Sequence, residues 1–221
     1  MRFSEALCVQ KGVTAVIGSG GKSTLLQVLA GELRSRGTVL LCTTTRMYPA
    51  ESAVTLCAPA EAELREALTA FGVVCAGTLA AGGKLAALEL SMEMLCKLAD
   101  YVLVEADGSK RLPLKAHAPH EPVVPEEAGQ TICVVGLTGL GRPIREAAHR
   151  SSRYAELAGT DEDALVTPAL AARVLQAENL ADRCLLNQAD DAARQALGRE
   201  LQSALHIPSV LGSLKKGIIV C

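Results

Sequence analysis

The chain has 221 residues, of which 49% are hydrophobic and 21% charged, and its formal net charge at pH 7 is −2. This composition is typical of a globular protein and excludes a disordered chain. The charge gives no general attraction to nucleic acid, and two Phe, three Tyr and no Trp leave few rings for base stacking, so we expect no nucleic-acid partner.

The first residues, MRFSEALCVQKG, are partly charged and lack a long apolar core. No apolar stretch of the sequence is long enough to cross a bilayer, so we expect a cytoplasmic protein without membrane contact. The cysteines form no C-x-x-C pair, and most lie in apolar runs, which favours reduced buried thiols over a metal or redox site. The eight cysteines are Cys8, Cys42, Cys57, Cys75, Cys96, Cys133, Cys184 and Cys221.

Residues 13–26, VTAVIGSGGKSTLL, predict a strand, a glycine-rich phosphate loop and a helix that begins near Lys22. In such a loop, glycines bring backbone N–H groups close to phosphate oxygens, and the lysine adds a positive charge. The hydroxyl of Ser23 or Thr24 is expected to hold Mg²⁺. The predicted nucleotide-binding residues of this loop are Gly18, Ser19, Gly20, Gly21, Lys22, Ser23 and Thr24.

The loop departs from the common pattern G-x-x-x-x-G-K-[ST], because position 16 is Val instead of Gly. Its spacing, Gly-x-x-Gly-Lys-[ST] from Gly18, resembles the ATP loop of the Mur ligases. Because an apolar strand precedes the loop and a helix follows it, nucleotide binding is favoured over a purely structural turn. The subclass of nucleotide enzyme stays open.

After the helix, residues 38–42 predict a buried strand that leads into Thr43, Thr44, Thr45 and Arg46. Ligands of parallel sheets bind beyond the carboxyl ends of the strands. A threonine hydroxyl at this position would contact Mg²⁺ or a terminal phosphate, and Arg46 would neutralise charge. The alternative is a strand end followed by a turn.

The next segments contain no candidate catalytic or binding residues. We expect a short strand at 54–57, a helix at 59–71, a strand at 73–75, and a helix that includes Leu88 and Leu98. The glycine-rich segment 77–84 resembles a second phosphate loop, but no Ser or Thr follows its lysine. A surface hairpin or turn is therefore favoured.

Residues 101–104 predict a strand that ends in Glu105 and Asp107. Nucleotide enzymes use carboxylates at such a strand end to hold Mg²⁺ and to position water, and we assign these roles to Glu105 and Asp107, respectively. Residues 114–125 contain three prolines and are expected to be irregular. Their His117, His120 and Glu121 suggest a metal site, but contact with a substrate or partner is favoured.

A strand at 130–136 precedes a glycine-containing loop and a mostly helical region, 145–176, interrupted near 159–163. Residues 184–190 predict a strand that leads into Asn187-Gln188-Ala189-Asp190. Guanine-specific proteins have Asn-Lys-x-Asp at this place, where the Asp carboxylate accepts hydrogen bonds from the ring N–H and the exocyclic amine.

Gln188 replaces the lysine of that pattern, and its aliphatic part is expected to cover the base. A helix at 191–205 and a last strand at 207–211 are then predicted. Ser213 to Lys215 follow in the position of a loop that completes a guanine pocket. Asn187 and Asp190 are therefore candidate base-binding residues, and guanine is favoured over adenine.

Together these motifs resemble the YqeC family, accessory proteins for selenium-dependent molybdenum hydroxylases. The resemblance extends over nearly the whole chain. It rests on GSGGKST at 18–24, TTTRM at 43–47, VEADGSKRLPLKAHAPHEPVVP at 104–125, HR at 149–150 and LNQAD at 186–190. It implies a role in maturing such a hydroxylase, with the hydroxylase or its cofactor-processing proteins as partners, and it names a pathway more firmly than a reaction.

The alternation of strands and helices predicts a three-layer α/β fold with a mainly parallel sheet and one nucleotide-binding domain, residues 1–221. The first functional hypothesis is a Mg²⁺-dependent nucleoside triphosphatase, with GTP favoured over ATP. Its expected catalytic residues are Lys22, Glu105 and Asp107, and its metal ligands are Ser23 and Glu105.

Two alternatives remain from the sequence. One is an ATP-dependent kinase or ligase that acts on a small cofactor precursor. The other is a nucleotide-dependent docking module with little hydrolysis. In the kinase or ligase, the acceptor would be held by Lys110, Arg111, Lys115, His117 and His120.

Overall fold

A computed structural model describes residues 1–220; Cys221 and the prediction for its thiol lie outside the described residues. The helices and strands alternate along most of the chain. In order they are α1 (Phe3–Ala6), β1 (Gly12–Gly18), α2 (Lys22–Leu33), β2 (Val39–Thr43), β3 (Arg46–Met47), β4 (Val54–Cys57), α3 (Glu61–Phe71), β5 (Val73–Ala80), β6 (Lys84–Ala86), α4 (Met92–Leu98), β7 (Tyr101–Glu105), β8 (Leu114–Lys115), β9 (Ala128–Gly136), α5 (Ile144–Ala147), β10 (Ala148–His149), α6 (Ser151–Ala158), α7 (Pro168–Glu178), β11 (Arg183–Asn187), α8 (Ala192–Ala204), β12 (Ser209–Ser213) and β13 (Ile218–Ile219).

Eight strands form a parallel sheet in the order β12-β11-β9-β1-β7-β2-β5-β4. Three short strands extend it antiparallel, with β13 on β12, β6 on β5, and β3 on β6. The strand β1 lies between β9 and β7, with Val16 beside Glu105 and Gly18 beside Val134. The loops that follow these central strands therefore meet at one edge of the sheet.

Helices cover both faces of the sheet. On one face, leucines at helical spacing on α2 are buried against β1, β2 and β7. The other face is covered by α3 and α4 over one half and by α5 to α8 over the other. The prediction of a three-layer α/β fold with a mainly parallel sheet is confirmed.

Several boundaries differ from the sequence prediction. The strand predicted at 73–75 extends to Ala80 and forms a hairpin with β6, which places residues 77–84 in a hairpin as expected. The helix predicted to include Leu88 begins only at Met92, because the Ser91 hydroxyl caps it by accepting a bond from Met94 N at 3.3 Å. The last predicted strand begins two residues later than expected, at Ser209, and β13 follows it.

Two further expectations need correction. The region 145–176 is interrupted after Gly159 as expected, but a second break, at β10 and the left-handed Arg150, separates α5 from α6 and gives three helices. The cysteines of residues 1–220 are free, but Cys8 and Cys57 are exposed rather than buried. Within the described part of the chain, no helix is long and apolar enough to cross a membrane.

Candidate functional site

The glycine-rich loop between β1 and α2 can be formed only with glycine at its bends. Gly18, Gly20 and Gly21 have φ values of 87°, 87° and 139°, which side chains rarely adopt. A Cβ on Gly20 would lie 2.5 Å from the Gly136 Cα. No side chain caps the N-terminus of α2 within residues 1–220. Its first N–H groups are therefore available to an anion such as a phosphate.

Lys22 lies beneath this loop and is only 4% exposed. Its Nζ donates to the Gly18 carbonyl oxygen at 2.8 Å and to Ser109 Oγ at 3.1 Å. It also forms an ion pair with Asp107 Oδ1 at 2.9 Å. The positive charge expected from the sequence is thus inside the loop, with a carboxylate as its counter-ion.

Asp107 is fully buried and contacts several charged groups. Its Oδ2 accepts a bond from Gly18 N at 2.9 Å and lies 3.1 Å from Lys115 Nζ and 2.8 Å from His117 Nε2. Burial alone would raise the pKa of Asp107. The hydrogen bond with His117 and the charges of Lys22 and Lys115 outweigh burial and lower the pKa to about 2. Asp107 is therefore ionised and holds these groups in place.

Glu178, at the end of α7, was not identified from the sequence. Its Oε2 lies 2.9 Å from His117 Nδ1, and its Oε1 accepts a bond from His117 N at 2.5 Å. Burial lowers the pKa of His117, but its hydrogen bonds with Asp107 and Glu178 raise the pKa above its ordinary value. The imidazole is thus fixed between two carboxylates.

The metal site suggested by His117, His120 and Glu121 does not form. His120 is exposed, whereas Glu121 pairs with Lys115 at 3.1 Å and with Arg150 at 3.0 Å. Among residues 1–220, no group of three or more His, Cys, Asp or Glu side chains is placed to hold a metal ion.

Ser23 and Glu105 face each other at the end of the phosphate loop. Ser23 Oγ donates to Glu105 Oε2 at 3.0 Å. Burial raises the pKa of Glu105, and the charge of Lys22 and the bond from Ser23 only partly oppose this. These oxygens fit Mg²⁺, which is often held by one or two protein oxygens while phosphate oxygens and water complete its coordination. Thr24 is exposed beside them.

The three threonines at the end of β2 and just after it have different contacts. Thr43 Oγ1 donates to the Glu105 carbonyl oxygen at 2.7 Å and is buried. Thr44 Oγ1 donates to the Val123 carbonyl oxygen at 2.6 Å. Two of the three hydroxyls therefore fix the loops around Glu105, and Thr45 and Arg46 line a cavity beside it.

Asn187, a candidate base-binding residue, forms a hydrogen bond with the phosphate loop. Its Nδ2 donates to the Gly20 carbonyl oxygen at 2.8 Å, and its Oδ1 accepts from Leu214 N at 3.0 Å. Asp190 Oδ1 accepts a bond from Ser213 Oγ at 2.6 Å, so the loop after β12 orients this carboxylate. Gln188 has a φ of 72°, and its Oε1 accepts from Thr138 Oγ1 at 2.6 Å.

A cavity of about 430 Å³, here called the loop cavity, connects these groups. The phosphate loop from Gly20 to Thr24 lines it together with Glu105, and the Asn187–Asp190 segment lines it together with Lys215. Small-molecule sites usually have volumes of roughly 300–1,000 Å³. Asp107 does not line the loop cavity, whereas its ion-pair partner Lys22 does. Asp107 would therefore act on a ligand there indirectly, by orienting Lys22.

A family model described as YqeC protein matches residues 14–152. The chain is 35% identical over 162 residues to "Uncharacterized protein YqeC" from Escherichia coli (strain K12), and the match covers 69% of this chain and 62% of that protein. The matched family segment contains the phosphate loop, Glu105 and Asp107, and it ends before Asn187.

Among solved structures, the chain is similar to the Signal Recognition Particle 54 kDa protein from Aeropyrum pernix K1 in complex with GDP. The TM-score is 0.40 at 13% identity, and the match covers 96% of this chain and 43% of the other. The strand order and the phosphate loop of this chain itself define its fold.

Proposed function

The chain belongs to the YqeC family, and we propose that it is a Mg²⁺-dependent nucleoside triphosphatase that binds its nucleotide in the loop cavity. The observation that carries the proposal is the phosphate loop, with its uncapped helix N-terminus and the buried ammonium of Lys22. These groups provide N–H donors and positive charge where a triphosphate needs them.

Each residue then has a physical role. Lys22 and the loop N–H groups stabilise negative charge on the phosphates, and Ser23 and Glu105 hold the metal. When bound, Mg²⁺ would neutralise charge on the phosphate oxygens. Asp107 is proposed as a positioning residue for Lys22, because it is fully buried and forms an ion pair with that ammonium.

The test is turnover of GTP and ATP, measured side by side with Mg²⁺. We expect Lys22→Ala to lower turnover by about 100-fold or more, the loss typical of a removed electrostatic group. The matched control is Lys97→Ala, which removes a lysine that is 63% exposed on α4, and should retain wild-type turnover. Undiminished turnover in folded Lys22→Ala protein would refute the triphosphatase proposal.

We propose GTP as the preferred nucleotide. Asp190 lines the loop cavity, and Ser213 orients its carboxylate, which can accept bonds from the ring N–H and amine of guanine. We expect wild-type protein to prefer GTP and Asp190→Ala to lose that preference while still binding nucleotide phosphates. A preference for ATP, or an unchanged preference in the variant, would contradict the guanine proposal.

A second candidate is a kinase or ligase, and the cavity beside Glu105 favours it because it offers room for an acceptor. Such an enzyme would turn over nucleotide slowly until its acceptor is added. Tight nucleotide binding without turnover in the presence of a partner would instead support a docking module. Maturation of a selenium-dependent molybdenum hydroxylase remains a proposal that rests on the family resemblance.

A further inference from the structure

A second cavity lies beside the loop cavity. Its volume is about 690 Å³, and we call it the cationic cavity. Four residues line both cavities: Ser23, Glu105, Ser109 and Arg111. The cationic cavity therefore begins where the metal ligands and the end of the phosphate chain are proposed to lie.

Four cations line this cavity: Arg46 on β3, Lys84 at the start of β6, and Lys110 and Arg111 in the loop after β7. None of them forms an ion pair with another residue in 1–220. The walls also include two carboxylates. Glu105 is the proposed metal ligand.

The other carboxylate, Glu121, is already paired with Lys115 at 3.1 Å and Arg150 at 3.0 Å. It therefore adds little negative charge to the cavity. Burial, with the charges of Lys115 and Arg150, lowers the pKa of His149, which also lines the cavity. The wall consequently carries more positive than negative charge, although Glu105 is close enough for the charge of Lys84 to act on it.

Two of the four cations also contact an aromatic ring. Lys84 Nζ lies 5.0 Å from the centroid of the Tyr48 ring, and Arg111 Cζ lies 5.7 Å from it, both within cation–π distance. Lys110 and Arg111 have φ values of 45° and 62°. Two consecutive left-handed residues that are not glycine cost energy, and such strain is concentrated at binding sites.

We propose that the cationic cavity binds a second substrate, a small molecule with a phosphate or pyrophosphate group, beside the terminal phosphate of the nucleotide. This inference rests on the proposed function, because Ser23 and Glu105 link the two sites. It also revises the acceptor site expected from the sequence. Lys110 and Arg111 line the cavity, Lys115 and His117 are buried with Asp107, and His120 lines neither cavity.

The test uses inorganic pyrophosphate as the probe. The protein is first saturated with Mg²⁺ and a non-hydrolysable GTP or ATP analogue, so that the phosphate loop is occupied, and pyrophosphate is then titrated by calorimetry. We expect 1:1 binding to the wild type, at least tenfold weaker binding to Lys84→Ala, and near wild-type binding to Lys84→Arg. Lys97→Ala is the control for loss of a distant surface lysine.

The nucleotide and pyrophosphate titrations are read separately. If the nucleotide binds and pyrophosphate does not, the inference is wrong while the proposed function stands. Equal pyrophosphate affinity in wild type and Lys84→Ala would also overturn the inference. If neither nucleotide binds, the proposed function is wrong and this inference falls with it.

Discussion

Replacing Asp107 by Asn tests whether the buried carboxylate stabilises the charges beneath the phosphate loop. The substitution keeps the shape of the side chain and removes its charge. Lys22 is 4% exposed in its side chain and Lys115 is 0% exposed, so both would lose a buried counter-ion at 2.9 and 3.1 Å. The Asn amide would also present N–H donors to groups that are donors themselves.

The expected loss follows from these contacts. Breaking a buried ion pair by removing one partner costs about 3–5 kcal/mol. Glu121 still pairs with Lys115, and the Gly18 carbonyl oxygen still accepts from Lys22, so we expect the lower end, about 3 kcal/mol. With a urea m-value of about 2–3 kcal/mol/M, the unfolding midpoint should fall by about 1–1.5 M.

The assay is urea unfolding at pH 7, without nucleotide. Because the pKa of Asp107 is lowered from 3.8 to about 2 in the folded state, its contribution is present above 3.8 and is lost as the pH falls through 2. Glu93→Gln, which removes an exposed helix ion pair with Lys97, is the control and should not shift the midpoint measurably. An Asp107→Asn midpoint equal to that of the wild type would show that the buried carboxylate does not stabilise Lys22 and Lys115.

Because the pKa of His117 is raised in the folded state, protonated His117 contributes stability that is fully present below pH 6.5 and is lost as the pH rises through the folded-state pKa. His117→Asn should therefore weaken the pH dependence of urea unfolding above pH 6.5, and an unchanged dependence would contradict this prediction. Ser23→Ala should raise the Mg²⁺ concentration needed for half-maximal turnover at least tenfold, because the hydroxyl beside Glu105 is lost; an unaltered Mg²⁺ requirement would exclude it as a ligand. Gly20→Ala should abolish nucleotide binding, because the new Cβ would lie 2.5 Å from the Gly136 Cα. The control is Gly31→Ala on α2, where nothing lies within 4 Å, and it should bind nucleotide normally. Calorimetric titration measures the nucleotide affinity of both variants.

The parts of the molecule that could be predicted are those with local signals. The phosphate loop is contiguous, and its glycines, lysine and hydroxyls are constrained by the turn they form. Glu105 was predicted from its place at the end of an apolar strand, and the structure places that strand beside the one that leads into the phosphate loop. The three-layer fold follows from the alternation of apolar strands and amphipathic helices.

The parts that were missed depend on long-range packing. Glu178 lies 61 residues from His117, on a helix whose sequence shows only an apolar face, so no local pattern connects the two. The sequence placed Asp107 at the right strand end, but its complete burial arises from Lys22, Lys115 and His117 closing around it. A hydroxyl of the threonine triplet was expected to contact Mg²⁺ or phosphate, with a structural strand end as the alternative; Thr43 has the structural role and donates to the Glu105 carbonyl oxygen.

Nucleotide binding by the loop cavity can be measured without hydrolysis, by calorimetric titration of the wild-type protein with GTP and with ATP in the presence of Mg²⁺. We expect one nucleotide bound per chain, tighter binding of GTP than of ATP, and loss of binding in Lys22→Ala. Failure of folded wild-type protein to bind either nucleotide would contradict the account.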